Sequence, residues 1–280
     1  MIYHYLLSLK RYRVFTACFR NKIADDSIIF DAHEEDKIIA SLRQTKPDYI
    51  INCIGVLVDG ARKSIGNTIY VNAYFPHLLA RLVNENEPSG RIIHISTDCV
   101  FSGSRGLYSD ADRKDALDLY GMTKNLGEII DDKNLTIRTS IIGPELKENG
   151  EGLFHWVFSQ RGRKSINGYE KSIWGGVTTL ELAKAMVRCI ECGVTGLYQL
   201  GNGEKISKCA LVKLIVEHFN LDISVEKVEG IVSDKSIVPS ARKDFEYTVP
   251  SYTSMIKELE QYMQIKKNVY SFYLGRSCGN

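Results

Sequence analysis

The first 54 residues contain no glycine, where roughly four would be expected at the chain's overall frequency of 22 in 280. This removes the glycine-rich turn with which α/β proteins that use a nucleotide usually begin. An excess of charge of one sign is also missing. With 36 basic and 34 acidic residues the net charge is +2, so there is neither a basic stripe for nucleic acid nor an acidic tail. Long apolar runs are absent: the longest, IINCIGVLV (50–58), is too short to span a bilayer. No basic stretch leads into a long apolar one at the N-terminus, so a signal peptide is not expected. A cytoplasmic location follows as the expectation, with no membrane and no nucleic-acid partner.

Cysteine is present but unpatterned. The seven residues are Cys18, Cys53, Cys99, Cys189, Cys192, Cys209 and Cys278. The odd count, and their place inside apolar segments, suit buried thiols in a reducing compartment better than disulfides. CIEC (189–192) has the C-x-x-C form. No second pair or histidine follows at zinc-finger spacing, and no strand leads into it, so the reading is structural cysteine and no metal.

What is present alternates. YRVFTACF (12–19) and SIIF (27–30) read as strands, EEDKIIASLRQ (34–44) as a helix, and DYIINCIG (48–55) as a strand buried on both faces. A long helical pattern covers 64–86, with Pro76 expected to kink or split it. RIIHIS (91–96) is another buried strand, 116–131 is helical, and NLTIRTS (134–140) is again a strand. This alternation argues an α/β fold with a parallel sheet covered by helices on both faces. Beyond about residue 140 the pattern loosens into a smaller mixed lobe. It holds an amphipathic piece at 152–160, helices at 179–192 and 206–219, a strand at 196–200, a loop at 238–250 and a charged helix near 252–264. The tail 271–280 is expected to be loosely held.

Chemistry concentrates in STDCVFSG (96–103) and DLYGMTKNLGE (118–128). Tyr120 and Lys124 are four apart in a helical segment and share a face. The Ser-Thr-Asp cluster ends a buried strand, and open parallel sheets bind ligands beyond the carboxyl ends of their strands. A phenol is a poor base at neutral pH, but a nearby ammonium favours the phenolate. Such a tyrosine can give a proton to a carbonyl oxygen as hydride reaches carbon, with a hydroxyl beside it orienting that oxygen. Taken singly each residue has a bland reading: Tyr120 a surface phenol, Lys124 its solvated neighbour, Thr97 and Asp98 a turn or helix cap.

Taken in order, the set resembles the extended short-chain dehydrogenase/reductases, and within them the dTDP-4-dehydrorhamnose reductases. The matching residues are Ser96, Thr97, Asp98, Val100, Phe101 and Gly103, then Tyr120, Gly121, Thr123, Lys124, Gly127 and Glu128. The likeness continues through IRTSIIG (137–143), GLF (152–154) and GLYQL (196–200). It implies a Rossmann-like doubly wound sheet over 1–142 that binds NADPH or NADH, and a substrate lobe over 143–280 partly interleaved with the sheet. It implies Tyr120 as proton donor, Lys124 on the cofactor ribose and tuning Tyr120, Thr97 on the substrate carbonyl and Asp98 assisting. Cys53, Ile54, Gly55 and Ser96 would lie along the cofactor. Asn72 would support the active-site strand there, or be plain structural glue. Arg20 is placed to meet a 2′-phosphate, which leans toward NADP, and Asp31 to lie near the adenine or simply to cap a helix. Val58, Cys99 and Ile141 would join Thr97 and Asp98 around a nucleotide-sugar.

The implied activity is reduction of a keto group on a nucleotide-linked deoxyhexose for surface polysaccharide synthesis in a bacterial cytoplasm. A homodimer is left open. The alternatives are a nucleotide-sugar epimerase and a non-catalytic regulatory protein on the same fold. Departures from the family bear on substrate: Ile141 stands where tryptophan is usual, and Ile173 and Val177 where glutamine and proline are. In this register MIYHYLLSLKR ends a first helix, and the first strand with its Gly-x-x-Gly-x-x-Gly turn would precede Met1. The expectation is an internal start or truncated gene, or else a shortened form without cofactor binding, and weak or no activity in the chain as it stands.

Overall fold

The computed structural model describes residues 1–147 and 149–274, so Cys278 and most of the tail lie outside the described residues. Helix α1 (Ile2–Ser8) leads to short strands β1 (Ala17–Cys18) and β2 (Ile28–Ile29), then α2 (Glu35–Thr45) and β3 (Tyr49–Asn52). Helices α3 (Val58–Lys63) and α4 (Ile65–Thr68) pass through a π-helical stretch, Ile69–Tyr74, into α5 (Phe75–Asn86) and strand β4 (Arg91–Thr97). Next come α6 (Leu119–Leu126), β5 (Leu135–Thr139), β6 (Ile141–Ile142), α7 (Leu153–Ser159), β7 (Ser165–Tyr169), β8 (Ser172–Trp174) and β9 (Val177–Thr178). The chain closes with α8 (Thr179–Cys192), β10 (Gly196–Gln199), β11 (Ile206–Ser207), α9 (Lys208–His218), β12 (Ser224–Val228), β13 (Ser233–Asp234), α10 (Tyr252–Ile265) and α11 (Ser271–Leu274).

Strand β4 organises the molecule. The central sheet runs β10–β5–β4–β3, and every neighbouring pair is parallel. Successive β4 residues face opposite layers. Ile92 packs with Ile38, Leu42, Leu78 and Leu82 of α2 and α5, whereas Ile93 packs with Phe154, Leu182 and Met186 of α7 and α8. Each such side chain contributes about 1.5–3 kcal/mol when fully buried. Double coverage explains why RIIHIS is apolar on both sides, with His94 and Ser96 as its buried polar breaks. Strand β10 joins this sheet although it lies beyond residue 143. The C-terminal lobe adds small ladders: β7 with β12, β6 with β9, and β8 between β11 and β13.

Several elements differ from their sequence patterns. The strand expected over 12–19 shrinks to Ala17–Cys18, because its one partner is the equally short β2, with Ala17 opposite Ile28 and Cys18 opposite Ile29. Among the described residues β1 and β3 share no ladder, so the parallel layer is split into a two-stranded and a four-stranded sheet. The helix expected over 116–131 is only eight residues long. Asp118 caps its start by accepting from Gly121 N–H at 2.8 Å, and Ile129 leaves it to bond Thr136 Oγ1. The long helical pattern is divided just before Pro76, which sits in the first turn of α5 after the π turns Ile69–Tyr74. Residues 206–207 form a strand paired with β8, and α9 starts only after Ser207, which caps it by accepting from Ala210 N–H. The tail is held down at its start: Tyr273 is buried, and its hydroxyl donates to Glu145 O at 2.9 Å. No helix among the described residues is long and apolar enough to cross a membrane.

Candidate active site

Strand β4 ends at Thr97, and one turn of 3-10 helix, Asp98–Val100, follows at once. Thr97 caps that turn: its Oγ1 accepts from Cys99 N–H at 3.1 Å and lies 3.1 Å from Asp98 Oδ1. Helix α6 is laid against this turn, and two glycines allow it. A Cβ on Gly121 would fall 2.2 Å from Cys99 O, and one on Gly127 1.9 Å from Asn72 O. Neither backbone oxygen can yield, so only glycine lets the helix sit this close. The spacing Tyr-Gly-x-x-Lys is thus partly a packing requirement. It sets Tyr120 against Thr97, Asp98 and Cys99.

Burial dominates the electrostatics here. It raises the Tyr120 phenol well above its ordinary value; Cys99, Asp98 and Asp118 act the same way, and the Thr97 hydroxyl beside it opposes them. This reverses the direction expected from the sequence. Lys124 does not pull the phenol down, because its Nζ is turned toward Ile95 O, at 2.7 Å, and His94 Nε2, at 3.4 Å. Tyr120 is therefore a protonated phenol at neutral pH, a state suited to donating a proton. Burial also raises the Asp98 carboxyl, against Lys235 and hydrogen bonds from Thr97, Ser140 and Cys99. It pushes the Cys99 thiol to about 12 and draws Lys124 down to about 8, with Glu128 and Cys53 resisting the latter.

The loop after β3 is tied to α6 through Asn72. Asn72 Oδ1 accepts from Val56 N–H at 2.8 Å, and Nδ2 donates to Val56 O at 2.9 Å and to Thr123 Oγ1 at 3.3 Å. Asn72 is fully buried, so anything it does for a ligand it does by holding this loop. Cys53, Ile54 and Gly55 on the same loop are exposed. Ser96 is engaged elsewhere, donating to Glu128 Oε1 at 2.8 Å. Val58, opening α3, and Ile141, in β6, are exposed apolar side chains. Arg20 and Asp31 belong to the separate β1–β2 piece. Arg20 lies over the Phe19 ring, and Asp31 bonds His33 Nδ1 at 2.6 Å, which with the His33 N–H holds its carboxyl below the usual range.

Sequence reasoning missed four participants. Ser140 and Lys235 face Asp98 from after β5 and after β13; Ser140 stood inside the quoted IRTSIIG, whereas nothing local in the sequence marks Lys235. His94 was visible as a polar break in RIIHIS. Arg138 stood inside the quoted IRTSIIG, and its guanidinium grips Glu128 through Nε at 2.9 Å and Nη2 at 2.7 Å.

A dinucleotide makes two demands: polar groups at the ribose beside its reactive ring, and backbone N–H groups at its pyrophosphate. Tyr120, Lys124 and the open loop Cys53–Gly55 fit the first. Among the described residues no glycine-rich turn leads from a strand into a helix to meet the second.

A family model of the RmlD substrate binding domain matches residues 8–262. No curated protein matches the chain. Among solved structures, a hypothetical dTDP-4-dehydrorhamnose reductase from Sulfolobus tokodaii is 26% identical, with 84% of this chain and 86% of that one covered and a TM-score of 0.72. A dTDP-4-dehydrorhamnose reductase from Bacillus anthracis in complex with NADP is 21% identical over 83% of this chain and 87% of that one, with a TM-score of 0.73. A UDP-glucose 4-epimerase from Thermotoga maritima, with UDP-glucose, is 15% identical over 95% and 94%, with a TM-score of 0.73. These likenesses establish a Rossmann-like α/β fold.

Proposed function

We propose that this chain, which belongs to the RmlD substrate binding domain family, reduces a keto group on a nucleotide-linked deoxyhexose with NADPH or NADH. The observation that carries this reading is the protonated Tyr120 phenol set beside the Thr97 hydroxyl at the end of β4. The bound nicotinamide would supply hydride to the carbonyl carbon. Tyr120 gives its proton to the carbonyl oxygen, turning C=O into CH–OH, and the phenolate left behind recovers a proton from solvent. Thr97 donates a hydrogen bond to the same oxygen and orients it. Asp98 holds the Thr97 turn, and Lys124 would hold the cofactor ribose. Cys99, Val58 and Ile141 would border the sugar. The NADP in the Bacillus anthracis neighbour and the basic Arg20 support NADPH over NADH. A role in surface polysaccharide synthesis, a cytoplasmic location, a homodimer and the division into a cofactor part, 1–142, and a substrate lobe, 143–280, complete the reading.

The Thermotoga maritima likeness supports a second reading as an epimerase, which would oxidise and re-reduce one sugar carbon with cofactor retained. The split between β1 and β3 supports a third, a non-catalytic protein on this fold. Titration calorimetry of the full chain with NADPH and NADH separates them. Weak binding followed by slow loss of nicotinamide absorbance with a dTDP-4-keto sugar is expected, because no glycine-rich turn among the described residues meets the pyrophosphate. Absence of any binding would remove both enzyme readings, and cofactor retained through purification with no net redox demand would favour the epimerase.

A further inference from the structure

His94 is fully buried in the middle of β4, and each ring nitrogen faces one side chain. Nδ1 lies 3.1 Å from Asn52 Nδ2, and Nε2 lies 3.4 Å from Lys124 Nζ. The Asn52 amide has only one possible orientation, because its Oδ1 accepts from Ile54 N–H at 3.1 Å. The atom facing the ring is therefore nitrogen, a donor only. Nδ1 must accept, and a neutral imidazole then carries its proton on Nε2. That N–H points at Lys124. An ammonium has three donors and no acceptor, so it would meet the ring donor to donor. A neutral amine has one lone pair for the ring N–H and keeps a hydrogen for Ile95 O, 2.7 Å away.

We propose that Asn52 locks His94 as its Nε2–H tautomer, and that His94 in this form is a positioning residue that favours the neutral amine of Lys124 over the ammonium. The surroundings are consistent with this. Glu128, just past α6, and Cys53, after β3, face Lys124 and favour its charge, but burial outweighs them. Glu128 is also already held by Arg138. His77 on α5 and Lys124 itself face His94, and with burial they keep the ring neutral far below its ordinary range. The significance for catalysis rests on the reductase reading. On that reading, with Lys124 drawn down to about 8, His94 helps bring the neutral amine within reach just above neutral pH, while Tyr120 stays the protonated donor.

Two NMR measurements on the full chain without cofactor test this, and neither needs turnover. Long-range ¹H–¹⁵N spectra of histidine-labelled protein at neutral pH should show His94 with its proton on Nε2, assigned by its loss in His94→Leu or, should that variant not fold, in His94→Asn. A proton on Nδ1, or an imidazolium, overturns the proposal. Spectra of ¹³Cε-lysine protein, assigned with Lys124→Met, should show Lys124 titrating well below an ordinary lysine and moving up by about one pH unit in the His94 variant. An unmoved titration also overturns it. An inactive chain would leave both results standing, and a wrong tautomer would leave the reductase reading untouched.

Discussion

Two polar nests lie side by side on one face of β4, built on His94 and Ser96, two residues apart. The Ser96 nest is closed. Ser96 and Arg138 hold Glu128, Arg138 Nη1 donates to Gln199 Oε1 at 2.8 Å, and Gln199 Nε2 donates to Tyr108 O and Val238 O. Its buried carboxylate and guanidinium face each other at 2.7 Å. The His94 nest is open. Lys124, and Asp98 at the end of the same strand, are just as buried, yet neither forms an ion pair among the described residues. The paired nest spends its charges on the fold, joining β4, β5, β10 and the loop at Tyr108. The unpaired nest keeps ionisable groups whose charge is undecided, the condition under which protons can be moved.

The largest effect should come from the open side. Tyr120→Phe removes one oxygen and is expected to lower kcat by about 10²- to 10⁴-fold, with cofactor affinity kept and stability changed by no more than about 1 kcal/mol. Calorimetry, initial rates and urea unfolding read these three, and unchanged turnover would remove Tyr120 as donor. The closed side should respond in the opposite sense. Arg138→Met strands the Glu128 carboxylate in the core and should cost about 3–5 kcal/mol in urea unfolding. A midpoint close to wild type would erase the contrast, for it would mean the pair is no more structural than its neighbour.

How much of this was legible beforehand depends on where each feature gets its definition. Helix α8 was legible to the residue, since Thr178 caps it, Gly193 takes the left-handed turn that ends it, and its apolar stripe is local. Strand β1 was not, because a strand is only as long as its partner, and β2 is short. The ordered motif marked Thr97, Asp98, Tyr120 and Lys124 as candidates. The direction in which Lys124 points depends on His94 and on Ile95 O, which no spacing rule reveals. Ser140 and Lys235 reach Asp98 from segments 42 and 137 residues further along the chain, and only the packed lobe brings them there. The double use of Glu128 was equally hidden. It stood in the quoted motif, yet its partners Ser96 and Arg138 lie on two different strands.

Asn72 sharpens the comparison from between the nests. It carries no charge, but it satisfies both backbone groups of Val56 and reaches Thr123 on α6. Asn72→Ala leaves a buried N–H and C=O without partners, which should cost about 1–3 kcal/mol. The loss should be local. Hydrogen exchange at Ile54 and Val56 should quicken while Ile92 and Ile93 in β4 keep their protection. Uniform loss across both would mean that Asn72 braces the whole sheet rather than the loop beside the open nest.

The smallest expected effect separates the nests by pH alone. The unfolded chain protonates His94 near the ordinary value of 6.5, whereas the folded ring resists protonation to well below it. Above the unfolded value both states are neutral and the full stability is present. As pH falls below it the unfolded state binds a proton that the folded state refuses, so stability drops by up to about 1.4 kcal/mol per pH unit. Lys124 acts in the same sense at the alkaline end: its folded value of about 8 lies under the unfolded 10.5, so stability gains as pH rises between them. Urea unfolding at about pH 7 and pH 5 should therefore show a slope in wild type that flattens in His94→Leu and persists in Arg138→Met, however low the latter starts. If His94→Leu kept the wild-type slope, the acid sensitivity would arise from a group other than His94.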